Sequence, residues 1–142
     1  MSENTVCILH VEDDSVDAMV VQRAFKKNNI PYKLVQAIDG TDAWDMLRGT
    51  NGKEKLNPPP RYILLDINMP KMNGLEFLKE LRNDSEFSNL TVFVLTTSND
   101  DHDRAEAYKY HVAGYILKPV DLEHYLTTFA TLYSFWQISV AP

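Results

Sequence analysis

The 142-residue chain is 44% hydrophobic and 24% charged, with 14 Lys and Arg against 20 Asp and Glu and a net charge of −6. A chain of this length folds as one domain around one core and leaves no room for a second. The acidic balance excludes a nucleic-acid-binding body, no window of ~20 uninterrupted apolar residues exists to cross a membrane, and the polar start Met1-Ser2-Glu3-Asn4 is no signal segment, so a cytoplasmic protein is expected.

Short β-branched runs alternate with amphipathic stretches, the pattern of a parallel sheet covered by helices on both faces. Thr5 to Val11 reads as the first strand, and its Cys7, the one cysteine, is expected to be an inert core thiol. Ser15 is the expected N-cap of the first helix, which should turn Val16, Val20, Ala24 and Phe25 inward before Asn28-Asn29 and Pro31 stop it. A second strand follows from Tyr32 to Ala37 and a short helix from about Thr41 to Arg48. Gly49 to Pro60, with glycines, lysines and three consecutive prolines, is a surface loop, either a tolerated insertion or a partner contact. The third strand runs from Tyr62 to Asp66. The third helix spans about Leu75 to Arg82, with Leu75 and Leu78 on one stripe and Phe77 and Leu81 on a neighbouring one. Thr91 to Thr96 is apolar enough to be buried on both faces, a fourth helix spans roughly Asp103 to Tyr110, and Gly114 to Leu117 is the fifth strand. Asp121 caps the last helix, where Leu122, Tyr125, Leu126, Phe129, Leu132, Tyr133 and Trp136 recur every three or four residues as one apolar stripe.

In an open parallel sheet the functional crevice lies beyond the carboxyl ends of the strands. Glu12-Asp13-Asp14 follow the first strand, Asp66 ends the third ahead of Ile67-Asn68-Met69-Pro70, Thr96-Thr97-Ser98 end the fourth, and Lys118-Pro119 follow the fifth. If these strands are neighbours, several carboxylates converge, and their repulsion needs a cation. An oxygen-only ligand set points to Mg²⁺, which leaves room for a phosphoryl oxygen. A lysine and a threonine hydroxyl would complete a clamp on that group, with Asp66 as a carboxylate nucleophile forming an aspartyl phosphate. Taken singly, each of these residues has an ordinary structural explanation; the joint placement at four strand ends does not.

The segments VEDD (Val11 to Asp14), LLDINMPKMNG (Leu64 to Gly74), VLTT (Val94 to Thr97) and GYILKP (Gly114 to Pro119) resemble those of response-regulator receiver domains of two-component signalling. The resemblance covers essentially the whole chain. It implies a flavodoxin-like, doubly wound five-stranded parallel sheet of order 2-1-3-4-5 with five helices, and Mg²⁺-dependent transfer of a phosphoryl group from a sensor histidine kinase to Asp66, followed by slow hydrolysis. By the same resemblance Glu12 and Asp13 are the acid pair at the metal, Asn68 lends it a backbone carbonyl, Thr96 bonds the phosphoryl group and Lys118 ion-pairs with it. Tyr115 matches the aromatic switch that turns inward when the threonine moves. Glu12 stands where a shorter aspartate is common and Asp14 adds a third acid, so the pair that faces the metal stays open. Thr97 occupies a position where a smaller residue is frequent, and its β-branched side chain is expected to narrow access to the phosphoryl group and slow its loss.

One domain over residues 1–142 is expected, with a core at about 5–128, the end of the fifth helix and a tail at 129–142, and no output domain. Output must then be made by contact. The loop before the third strand, the stretch after the fourth and the aromatic tail Phe135-Trp136 to Val140-Ala141-Pro142 are similar to small regulators that partner bacterial phytochrome histidine kinases. Phe135 and Ile138 fall off the Leu126, Phe129, Tyr133, Trp136 stripe, and an apolar second face predicts a partner, most simply a homodimer through the fourth and fifth helices. Tyr125, Phe129, Tyr133, Phe135, Trp136 and Ile138 are its candidate interface residues. Three rival functions fit the sequence less well. An FMN carrier needs hydroxyl and glycine donors after the first strand rather than three acids. An aspartate-nucleophile phosphatase of the haloacid-dehalogenase type puts a second aspartate two residues on, where this chain has Asn68. A binding module that works without phosphorylation would not need Asp66, Thr96, Lys118 and the acids together.

Overall fold

The computed structural model describes residues 6–69 and 71–140. Thr5 of the expected first strand, Pro70 of the LLDINMPKMNG segment and Ala141-Pro142 of the tail lie outside them. The elements run β1 (Cys7–Val11), α1 (Ser15–Lys27), β2 (Lys33–Ala37), α2 (Gly40–Arg48), β3 (Tyr62–Leu65), α3 (Gly74–Arg82), β4 (Thr91–Thr96), α4 (Asp101–Lys109), β5 (Gly114–Leu117) and α5 (Leu122–Ile138). The five strands form one parallel sheet of order β2-β1-β3-β4-β5, the flavodoxin-like arrangement expected. Ile8 pairs with Leu34 on one side and Tyr62 on the other, while Leu65 pairs with Val94 and Thr96 with Leu117. This register brings the ends of β1, β3, β4 and β5 to one edge.

Every residue of β1 and β3 is buried, as continuous apolar runs with helices on both faces require. Leu9, Val11, Ile63, Leu65, Val92 and Val94 face α2, α3 and α4; Ile8, Leu64, Phe93 and Leu95 face α1 and α5. Cys7 is a free, buried thiol. On the second face Trp136 is fully buried, stacked on Tyr62 at 4.7 Å and tilted against Phe25 at 6.4 Å.

Several local expectations need correction. Asp14, not Ser15, caps α1, its carboxylate accepting from the N–H groups of Val16 and Asp17. A carboxylate one residue earlier reaches the same free amides, so the helix starts on Ser15. Val16 is 64% exposed; Ala18, Val21, Ala24 and Phe25 make the buried face. Val20 packs part-buried against the same cluster, so of the four residues expected inward only Val16 is turned to solvent. Helix α4 begins two residues earlier than expected, capped by Asp100. Tyr125, Phe129 and Trp136, offered as interface residues, are buried against the chain's own sheet, so they are core, as a single three-four stripe on a helix covering a sheet must be. Tyr133 packs edge-on against Tyr32 at 5.4 Å. Phe135 and Ile138 do face outward, 49% and 80% exposed.

The loop after α2 folds back on its own domain. Gly49 ends the helix in the left-handed conformation (φ 72°), where any Cβ would also lie 2.7 Å from Cβ of Lys55. The Asp45 carboxylate accepts from Thr50 and Asn51, the Leu56 N–H donates to the Met46 carbonyl, and Lys53 and Lys55 pair with Asp42 and Glu86.

Candidate functional site

The site grows from strand ends that continue their hydrogen bonding past the sheet. The Glu12 N–H donates to the Ala37 carbonyl, the Asp66 N–H to the Val11 carbonyl and the Lys118 N–H to the Thr96 carbonyl, each between 2.8 and 3.1 Å. These bonds fix the backbone of three candidate site residues to neighbouring strands. The turn after β3 is held by close contact instead. The Gly74 N–H donates to the Ile67 carbonyl at 2.9 Å, and a Cβ on Gly74 would lie 2.2 Å from the Asp66 carbonyl oxygen, so only glycine lets α3 start this near the aspartate. Asn73 caps that helix through the Glu76 N–H.

Four of the expected residues meet. The Lys118 ammonium lies 2.7 Å from Oε1 of Glu12 and 3.2 Å from Oδ2 of Asp66. Glu12, Asp13 and Asp66 each present an oxygen within 4.8 Å of the others. Glu12 is fully buried and its second oxygen accepts from the Asp14 N–H; Asp66 is buried, and Asp13 is exposed. Asn68 sits on the rim, its N–H 3.3 Å from Oδ1 of Asp66. Thr96 is fully buried at the end of β4, and its hydroxyl oxygen accepts from the Ser98 N–H at 3.3 Å. Asp14 is spent as the cap of α1, which separates its role from that of Glu12 and Asp13.

Tyr115 is half-buried beside this corner. Its hydroxyl donates to the Ser98 carbonyl at 2.9 Å, while the Ser98 hydroxyl donates to Asp103 of α4 at 2.7 Å. The segment after Thr96 is thus tied to both β5 and α4.

The charges are concentrated and badly solvated. Burial first, and then the negative charge of Asp66, pushes the Glu12 carboxyl above the ordinary range despite Lys118. Burial alone would lower the Lys118 ammonium, but Asp17, Glu12 and Asp66 hold it above the usual lysine range. The Tyr125 hydroxyl on α5 is pushed up to about 12, by burial and then by Asp17. An all-oxygen donor set of three converging carboxylates with one lysine is what a hard divalent cation neutralises, so the residues present fit Mg²⁺ or Mn²⁺.

One participant lay beyond the strand-end reading. Asp17 of α1 reaches back to the Lys118 ammonium at 2.6 Å, the shortest of that lysine's three ion pairs. Its signal in the sequence was helical spacing: it stands one turn past Asp13 and Asp14, on the end of α1 that faces the strand termini.

Known proteins share this fold and much of this sequence. The model of the response regulator receiver domain matches residues 8–130. Response regulator Rcp1 of Synechocystis is 35% identical over 129 residues, covering 91% of this chain and 87% of its own, and the probable methanogenesis regulatory protein FilR2 of Methanothrix harundinacea is 34% identical over 135 residues, covering 95% and 86%. Among solved structures, Mn²⁺-bound Rcp1 superposes with a TM-score of 0.83 at 32% identity, over 96% of this chain and 99% of that one. The phosphorylated cyanobacterial phytochrome response regulator RcpA gives 0.86 at 32% identity, over 96% and 98%. Together with the strand order, the acid cluster and the lysine, these likenesses say what the chain is: it belongs to the response regulator receiver domain family of two-component signalling.

Proposed function

We propose that the chain is a phosphoacceptor that takes a phosphoryl group from a sensor histidine kinase on Asp66 and passes the signal on by protein contact. The observation that carries this reading is the Lys118 ammonium 3.2 Å from Oδ2 of a buried Asp66, beside an acid cluster that lacks the positive charge to balance it. An Asp66 carboxylate oxygen attacks phosphorus, the P–N bond to the donor imidazole breaks, and its electron pair stays on that nitrogen. Glu12, Asp13, Asp66 and the Asn68 backbone carbonyl would hold Mg²⁺, which when bound neutralises the carboxylates and the phosphoryl oxygens. Lys118 supplies a positive donor and Thr96 a hydroxyl that donates through its own hydrogen. Loss of the group by hydrolysis is slow, because the Asn68 amide cannot act as a general base toward the attacking water.

The readout follows from what Thr96 already touches. Drawing its hydroxyl toward Asp66 frees the segment that Tyr115 and Asp103 hold, and so repositions α4 and the β5 edge. Phe135, Ile138 and Val140, exposed at the end of α5, support a second copy of this chain as the partner. Among the described residues no helix is long and apolar enough to cross a membrane, which supports work in the cytoplasm, with a bacterial phytochrome kinase as the donor suggested by the RcpA likeness.

Intact-protein mass spectrometry after incubation with Mg²⁺ and acetyl phosphate tests the chemistry. A single phosphoryl gain, abolished by Asp66→Asn and by EDTA, is expected; folded wild-type protein that gains nothing from acetyl phosphate and binds no beryllofluoride would sink the reading in favour of a phosphorylation-independent binding module. Sedimentation with and without beryllofluoride tests the dimer, and a monomer at all concentrations rejects it.

A further inference from the structure

A lysine ammonium has three N–H donors, and three carboxylates surround Lys118: it donates to Asp17 at 2.6 Å and to Asp66 at 3.2 Å, and pairs by charge with Glu12 at 2.7 Å. The two shorter contacts go to residues that would not carry the phosphoryl group. Glu12 and Asp66 also belong, with Asp13, to the oxygen cluster suited to a cation, whereas Asp17 stands outside it. Asp17 projects from the first turn of α1, which is anchored by its N–H donating to the Asp14 cap at 3.1 Å. Its side chain is 31% exposed, while that of Lys118 is only 7% exposed.

We propose that Asp17 is a positioning residue that competes with the phosphoryl group for the Lys118 ammonium, and so sets how tightly the site holds a tetrahedral anion on Asp66. The inference rests on the phosphoacceptor reading above and adds to it the residue that weakens the grip. A phosphoryl group brings new negative oxygens next to Lys118, yet the ammonium already points its closest contact at α1. To meet the anion it must leave Asp17 or share itself between two acceptors. Exchange of Asp17 for asparagine keeps the shape, removes the stronger rival acceptor and removes a negative charge that repels the incoming anion, so both effects act in one direction. Glu12 and Asp66 still hold the lysine in place. Because Asp17 is partly exposed and screened, the gain is moderate, about three- to tenfold in anion affinity.

The test titrates the full chain with beryllofluoride in excess Mg²⁺, following bound fluoride by ¹⁹F NMR, for wild type, Asp17→Asn and Asp17→Glu. Asp17→Asn is expected to bind about three- to tenfold more tightly and Asp17→Glu to return to within about twofold of wild type. Mg²⁺ affinity without the anion should move by less than about twofold, since Asp17 is not in the metal cluster; a loosened fold would instead weaken both. A second readout needs no metal: the Lys118 ammonium signal in ¹H–¹⁵N spectra, shielded from water by burial and by its bonds to Asp17 and Asp66, should broaden in metal-free Asp17→Asn. Equal or weaker beryllofluoride binding by Asp17→Asn, or an unchanged ammonium signal, overturns the inference alone. A wild type that binds no beryllofluoride and gains no phosphoryl group overturns the phosphoacceptor reading and this one with it.

Discussion

Replacing His10 with leucine should change how stability responds to acid. His10 sits in the middle of β1, paired with Gln36 and Leu64, 2% exposed, with its Nε2 unpartnered among the described residues. Burial, and then the positive charge of Lys118, pushes its imidazole from 6.5 down to about 4. Between those values the unfolded chain binds a proton that the folded chain refuses, so the contribution is whole above 6.5 and is lost as pH falls toward about 4. The loss is about 1.4 kcal/mol per pH unit, or about 2 kcal/mol by about pH 5. Glu12 works in the opposite sense: its folded carboxyl lies above the ordinary 4.5, so protonating it favours the folded state. The wild-type slope is therefore a difference of two effects, and the comparison with His10→Leu isolates one of them. Urea unfolding in EDTA, read by the fluorescence of buried Trp44 and Trp136, measures it. His10→Leu should gain about 2 kcal/mol over wild type between about pH 7.5 and about pH 5. It should also start about 1–2 kcal/mol ahead at the higher pH, where an unpaired buried nitrogen has been removed. Parallel stability curves for the two proteins would refute the argument.

Lys118→Met leaves Glu12 buried without its partner, so metal-free protein should lose about 3–5 kcal/mol in urea unfolding, and Mg²⁺ should restore more stability to the variant than it adds to wild type. Equal Mg²⁺ effects would contradict that account. Trp136→Ala removes a fully buried ring stacked on Tyr62 and should cost about 3–5 kcal/mol, seen as a lower urea midpoint at unchanged slope. Thr97 is exposed immediately after Thr96, and Thr97→Ala should shorten the aspartyl-phosphate half-life by widening the approach of water; half-lives that match the wild type remove the steric explanation.

Much of the fold was legible because it depends on neighbours in sequence. Apolar runs such as Thr91–Thr96 and the stripe from Leu122 to Trp136 declare strand and helix through their period alone, and both elements lie where the period puts them. Errors cluster at ends. Ser15 against Asp14 is a choice between adjacent caps, and a start at Asp103 against Asp101 a choice of first turn within one acidic run, and only the local backbone path resolves either.

The chain by itself determined the order of elements and the residues standing at strand ends, since a parallel α/β alternation forces Glu12, Asp13, Asp66, Thr96 and Lys118 to one edge whatever the details of packing. The tertiary structure alone decided who touches whom. It brought Asp17 onto Lys118 across 101 positions of sequence, turned Val16 outward, and pressed Tyr125, Phe129 and Trp136 of α5 onto the sheet while leaving Phe135 and Ile138 exposed. The reason is range: periodicity reports one helix or strand at a time, whereas an ion pair or a buried ring depends on how distant elements dock.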